Sequence, residues 1–306
     1  MKMRYLIIAI CSLSLLHIKA QQLPTFSQFL FNDYAYNPAI AGSKPYFDVK
    51  SGHRYQWVGL SDAPRTYSLT VNGPTKNLKM GVGAFLYTDH VGPTRRTGLQ
   101  GSYSYQLSLS ESIRLSLGAS FGISEWKLDG HKIITYSPND PVIIDGVMQT
   151  LVPDAKFAFY LYHENWNFGA SAPNILQSKL KFDEGTNTGL SKLENHYYVH
   201  GGYRFNASED IQIEPTVLVK YVQAAPVQAD LMAKVTYKNQ IWLGGAYRTA
   251  DAASAMIGYL FRENLVIGYS YDFTTSNLRN YSSGTHELLI GVRFVRGSTF
   301  EVPNIE

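Results

Sequence analysis

LQGSYSYQLSLSESIRLSLGASFGIS, residues 99–124, decides the fold. Leu99, Tyr103, Tyr105, Leu107 and Leu109 interleave with Gln100, Ser102, Ser104, Gln106, Ser108 and Ser110. Beyond Glu111 and its serine neighbours, Ile113, Leu115, Leu117, Ala119, Phe121 and Ile123 interleave with Arg114, Ser116, Gly118, Ser120, Gly122 and Ser124. A period of two held for about a dozen residues marks a β-strand with one apolar and one polar face. The Glu111 stretch joins the two as a hairpin.

The same alternation fills the rest of the chain. Outward sets are expected at Tyr197, Val199, Tyr203, Phe205; at Ile213, Val217, Val219, Tyr221; and at Leu231, Ala233, Val235, Tyr237. They continue at Ile241, Leu243, Tyr247; at Ile257, Tyr259, Phe261; at Leu265, Ile267, Tyr269, Tyr271, Phe273; and at Leu288, Ile290, Val292, Phe294. Earlier strands are expected near 46–57, 66–72, 80–89, 151–163 and 166–173, for about fourteen in all. After residue 20 no apolar run approaches the ~18 residues of a membrane helix, so any membrane role falls to strands, for which ~9–11 residues suffice. Short turns at 110–112, 164–165, 208–210, 238–239 and 263–264 alternate with longer loops at about 128–150, 174–195, 222–227, 249–252 and 274–284. This rhythm predicts an all-β transmembrane antiparallel barrel with turns at one end and loops at the other, as in outer-membrane barrels. A closed sheet pairs every backbone amide and can present an unbroken Tyr/Leu/Ile/Phe wall to lipid. Tyr162, Tyr197, Tyr221, Tyr237, Phe273 and Phe294 are expected in the interfacial girdles, and Pro215 is expected to mark a bulge.

The chain begins with basic Lys2 and Arg4, an apolar run from Tyr5 to Leu16, and Lys19-Ala20 before Gln21. This is a secretory signal peptide, with cleavage expected after Ala20. Cys11 follows Ile10, where a lipoprotein peptidase needs a small residue, so Cys11 is read as discarded with the signal. It is the single cysteine, so disulfides and thiolate metal sites are not expected in the mature chain. Taking Lys2, Arg4 and Lys19 from the 27 basic residues leaves 24, equal to the 24 acidic ones, which gives nucleic-acid binding no support. Four regions follow: a signal over 1–20, a non-strand segment over 21–45, a barrel over 46–294 and a tail over 295–306. An even strand number predicts both termini on the periplasmic side.

Lumen-facing alternates in the last seven strands carry Arg204, Glu214, Lys220, Asp230, Lys234, Arg248, Asp272 and Glu287, with Arg293 in the final strand. A charge on the lipid face at mid-bilayer costs ~2–4 kcal/mol, so these belong inside. Five positive and four negative charges predict mutual pairing; a selective pore favours one sign.

Several motifs fail on context. Gly118-Ala119-Ser120-Phe121-Gly122 fits the nucleophile-elbow pattern but lies within an alternating strand, not a strand-to-helix turn. Asn37-Pro38-Ala39 matches a water-channel signature that requires half-helices. His286 and Glu287 point to opposite faces of a strand. No catalytic residue, cofactor or metal is expected. The stretch from Gln22 to Ser43, rich in Phe, Tyr, Asn and Gln, has no strand pattern and is too apolar for a free tail. It is expected to pack in the barrel mouth or cap it from the periplasm.

Phe26-Ser27-Gln28-Phe29, Asn32 and Asn37-Pro38-Ala39-Ile40-Ala41-Gly42 resemble the opening of the PorP/SprF family of type IX secretion membrane proteins. The similarity continues through Arg54-Tyr55-Gln56-Trp57, Ala63-Pro64-Arg65-Thr66, Gly81-Val82-Gly83, Asp89 and Gly92-Pro93. It extends to Pro153-Asp154-Ala155-Lys156-Phe157 with Gly169-Ala170-Ser171-Ala172-Pro173-Asn174, to Gly268-Tyr269-Ser270-Tyr271-Asp272-Phe273 and to Ser283-Gly284-Thr285-His286-Glu287-Leu288. Ala155-Lys156 and Ala158 depart from the family's glycine-containing pattern. The resemblance implies a non-enzymatic Bacteroidota outer-membrane barrel. It would assist export or surface attachment of large proteins, such as gliding adhesins, through their C-terminal signal domain. It would also contact periplasmic components of the secretion apparatus. Phe26, Gln28, Phe29, Asn37, Pro38, Arg54, Trp57 and Arg65 are the expected plug or partner-binding residues. A passive porin and a barrel-embedded hydrolase using Ser120 are the alternatives.

Overall fold

The computed structural model describes residues 23–133, 146–182, 191–223 and 225–294; the expected signal peptide, Cys11 and the 295–306 tail lie outside them. Fourteen strands close into one antiparallel barrel. They are β1 (Phe47–Tyr55), β2 (Arg65–Pro74), β3 (Met80–Val91), β4 (Thr94–Ser108), β5 (Arg114–Asp129), β6 (Val147–Tyr162) and β7 (Trp166–Ala172). The second half comprises β8 (His196–Tyr203, continued by Phe205–Asn206), β9 (Ile211–Val222), β10 (Gln228–Tyr237), β11 (Ile241–Arg248), β12 (Ala252–Phe261), β13 (Leu265–Thr274) and β14 (Thr285–Phe294). Each strand pairs with its neighbours in sequence, and β14 returns to β1, with Phe47 opposite Phe294 and Tyr55 opposite His286. Closure leaves no sheet edge, which is what permits strands in hydrocarbon. None of the described helices is long and apolar enough to cross a membrane.

Alternation sets the two faces. In β4 and β5, Leu99, Tyr103, Tyr105, Leu117, Phe121 and Ile123 stand outward and exposed, while Gln100, Ser104, Gln106, Ser116, Ser120 and Ser124 are buried inside. In the last strand the parity switches, so that Leu288, Ile290 and Phe294 face out and Glu287 and Leu289 face in. Tyr197, Tyr221, Tyr237, Phe273 and Phe294 join the outer face. Tyr162 does not: it points inward, stacked on Tyr160 and donating to Gln106 Oε1 at 2.8 Å. Even positions face the lumen throughout β6, and Tyr162 shares that parity.

Pro215 makes no bulge. Gly202 opposite Thr216 and Phe205 opposite Ile213 keep one register across it. Proline has no N–H to donate, so the β8–β9 ladder is interrupted there and β8 divides at Arg204, without a slip.

The turn end carries 75–79, 109–113, 163–165, 207–210, 238–240 and 262–264. Lys238 and Asn239 (φ 50° and 55°) and Arg262 and Glu263 (φ 46° and 64°) are left-handed pairs of the tight hairpin type. Among the described residues the loop end carries 56–64, 130–133, 173–182, 191–195, 225–227 and 275–284. It also holds the two-residue turn at Gly92-Pro93 and the three-residue link 249–251, so the short-long rhythm is not strict. Lys179–Leu180 and Ser191–Lys192 form a small ladder above the rim, where Leu180 and Leu193 pack on Val152 and Trp126.

The N-terminal segment runs inside the barrel along its whole length. Leu23 and Thr25 lie beside His196, Val222 and Gln228 at the loop end. Three short 3₁₀ turns follow, Phe29–Phe31, Asp33–Ala35 and Pro38–Ile40, and the chain joins β1 at the turn end. The first described residue and Phe294 therefore sit at opposite ends of the barrel; the termini themselves lie outside the described residues.

Ile257 stands at the middle of β12, 52% exposed, between Leu243 and Tyr269. Ile257→Arg is expected to cost ~2–4 kcal/mol of folding free energy in bilayers, measured by urea unfolding in lipid vesicles. The exposed rim change Lys238→Gln serves as the reference and should leave stability within ~0.5 kcal/mol.

Candidate functional site

Residues 23–45 lack a sheet, so their backbone must find partners in the wall. Arg248 donates to the Phe26 carbonyl at 3.3 Å, Lys156 to the Ala35 carbonyl at 3.1 Å, Ser171 to that of Tyr36 and Ser104 to that of Ala41, both at 2.7 Å. Gln106 reaches the Gly42 carbonyl. Backbone approaches backbone at two glycines. A Cβ on Gly118 would fall on the Ala39 main chain, and one on Gly81 on the Ala41 carbonyl. The first glycine of the elbow-like motif is thus a contact point for the plug. Ser120, mid-β5, has no hydrogen-bond partner for its Oγ among the described residues, and Lys156 across the ladder is turned to Ala35.

Phe26, Gln28, Phe29, Asn37 and Pro38 are brought together in this plug. The Phe26 amide donates to Tyr36 Oη at 2.7 Å, and Phe29 meets Tyr36 and His200 edge to face. Asn37 caps the third turn by accepting from the Ala39 amide at 2.9 Å, with Pro38 in the first helical position. Its amide nitrogen donates to the Phe159 carbonyl at 2.9 Å and lies 3.1 Å from His200 Nε2. Gln28 donates to the Glu287 carbonyl at 3.0 Å.

Arg54 stands inward on β1 and gathers the plug to the wall. Its guanidinium bonds Asp272 and Glu287, each at 3.0 Å, and the Ser27 hydroxyl at 2.6 Å. Ser27 Oγ in turn donates to Asp272 at 2.6 Å, and the Ser27 amide to Glu287 at 2.8 Å. Beside it Asp230 accepts from Lys220 at 3.0 Å and from Arg248 at 3.1 Å. Trp57 and Arg65 are not part of this assembly. Arg65 is exposed and borders a cavity of about 250 Å³ at the loop rim, and Trp57 there donates its amide to Thr285 Oγ1 at 3.1 Å.

The remaining inward charges lie nearer the turn end. Glu214 holds Lys234 at 2.8 Å and Arg204 at 3.8 Å; Arg293 has no acidic partner among the described residues, and its guanidinium lies 5.2 Å from the Tyr46 ring. Charges of the first strands join them. Lys50 meets Asp48 at 2.5 Å, and Lys44 meets Asp33 at 3.4 Å. Asp48, Lys50, Arg96, Asp154 and Lys156 are further luminal charges, outside the last seven strands. Their even-numbered alternation, already visible in β1 and β6, would have found them. Among the described residues no cluster could hold a metal ion.

This geometry defines a plugged barrel of the outer-membrane type: a lipid-facing wall around an ion-paired lumen filled by the chain's own N-terminal segment. The chain belongs to the PorP/SprF family of type IX secretion system membrane proteins, whose family model matches residues 18–292. The family is one of secretion-system membrane proteins, not an enzyme class. No curated protein matches the sequence. Among solved structures it is similar to the Ralstonia pickettii toluene transporter TbuX, with 8% identity over 84% of this chain and 91% of that one and a TM-score of 0.52. A Pseudomonas aeruginosa FadL homologue matches with 10% identity over 89% and 94% and a TM-score of 0.46. The likeness to TbuX speaks to the barrel fold alone.

Arg54→Leu strands Asp272 and Glu287 without their cation. It is expected to destabilise the barrel by ~3–5 kcal/mol, as for other broken buried pairs, whereas Ser27→Ala should cost ~1 kcal/mol. Urea titration of the vesicle-inserted protein, read by heat-modifiable gel migration, measures both.

Proposed function

We propose that this protein is a non-enzymatic accessory of the type IX secretion system in a Bacteroidota outer membrane, which helps export or anchor large surface proteins, gliding adhesins among them, through their C-terminal signal domain. The observation that carries this reading is the plug: a lumen crossed end to end by bonded polypeptide is not a conduit for a folded substrate. The work then falls to the two ends. With the turns periplasmic, the usual arrangement for such barrels, the loop end faces outward and the loops around 130–146 and 173–195 meet the exported domain. The packed base of the second loop, where Leu180 and Leu193 rest on Val152 and Trp126, supplies a fixed platform. The turn end faces the periplasmic secretion components. The same plug speaks against the passive porin.

Capture of a substrate C-terminal domain by the purified barrel tests the reading. The wild type is expected to retain the domain, and Leu180→Asp to reduce retention about tenfold while migrating as a folded barrel. No retention by the wild type, together with a large open current in a planar bilayer, would sink the proposal and favour the porin.

A further inference from the structure

The lumen is not uniformly filled. Between the plug and the wall lies a cavity of about 320 Å³ open toward the turn end, bordered by Tyr46, Asn239 and Arg293 at its mouth and by Phe29, Phe31 and His200 at its floor. That volume falls within the ~300–1,000 Å³ of ordinary ligand sites.

Its charge is one-sided. Lys44, Lys50, Arg204, Lys234 and Arg293 line it, against Asp33 and Glu214. Counting Asp48, which pairs with Lys50, still leaves an excess of two positive charges. At the loop end the signs are close to balanced: Arg54, Arg248 and Lys220 face Asp230, Asp272 and Glu287 in direct bonds. The cations of the cavity fall on two walls. Lys50 and Arg293 lie on the adjacent strands β1 and β14, where Arg293 is opposite Asp48. Arg204 and Lys234 lie across the lumen around Glu214. Arg293 Nε is buried with no hydrogen-bond partner among the described residues. Low-dielectric walls concentrate the field of such a charge set.

We propose that this turn-end vestibule is a binding site for an acidic segment of polypeptide, which presents carboxylates to both walls at once. Two separated cationic groups suit a ligand with several anionic groups better than a single small ion, and the planar fork of Arg293 is matched to a carboxylate. The compartment that supplies the segment rests on the orientation proposed above, whereas the binding itself does not.

The test uses the full-length mature barrel in detergent micelles and fluorescein-labelled hexaglutamate, with hexaglutamine and inorganic phosphate as comparison probes, read by anisotropy. Hexaglutamate is expected to bind about tenfold or more tighter than hexaglutamine, and to weaken as salt rises from about 50 to about 500 mM. Arg293→Gln combined with Arg204→Gln should weaken it about tenfold with heat-modifiable migration intact. Lys76→Gln with Lys79→Gln, in the exposed β2–β3 turn outside the vestibule, should leave it unchanged. Equal binding of the two peptides, an undiminished affinity in the arginine double variant, or complete displacement by millimolar phosphate would each overturn the proposal. Because no secretion substrate is present, failure here is separable from failure of the substrate-capture experiment.

Discussion

A stretch of irregular polypeptide lies at membrane depth, and every buried amide and carbonyl in it has to be matched. Non-helical backbone survives there only where protein encloses it. That requirement explains the inner surface of the wall better than any demand of the barrel alone. Ser104, Gln106, Lys156, Ser171 and Arg248 are spaced around the lumen because the carbonyls of Ala41, Gly42, Ala35, Tyr36 and Phe26 are there to be met. Gly81 and Gly118 stand where two main chains come too close for a Cβ. The lipid face answers to hydrocarbon, and the luminal face answers to the plug.

Those two demands were unequally legible in the sequence. The lipid demand repeats every second residue, so the outward sets from Leu99 to Phe294 and the closure into about fourteen strands could be read directly. Arg54 could be picked out as important, but not its partners, because Asp272 and Glu287 lie more than two hundred positions away and meet it only when β14 closes on β1. Tyr162 was misplaced for the converse reason: an aromatic near a strand end looks the same whether it meets the interface or stacks on Tyr160 inside. The Pro215 bulge was a sound local inference, undone by a ladder that keeps its register by omitting bonds. The course of the plug was least legible. Residues 23–45 show no periodicity, and nothing local states that they run from the loop end to the turn end.

The bonds of the loop half fall into two classes. Arg54, Asp272 and Glu287 belong to the wall, as do Lys220, Asp230 and Arg248, so these ion pairs are complete whether or not the plug is in place. The plug adds Ser27 to the first group and the Phe26 carbonyl to the second. Its other ties are the Gln28 amide on the Glu287 carboxylate, single neutral hydrogen bonds to wall side chains and to carbonyls, worth about 0.5–1.5 kcal/mol each and replaceable by water, and aromatic packing of Phe26, Phe29 and Tyr36. Barrel closure and plug retention are therefore largely separate in energy. The wall's charges hold its cross-section without help from the plug, and the plug is held by many modest contacts that any competitor for the lumen would have to displace together.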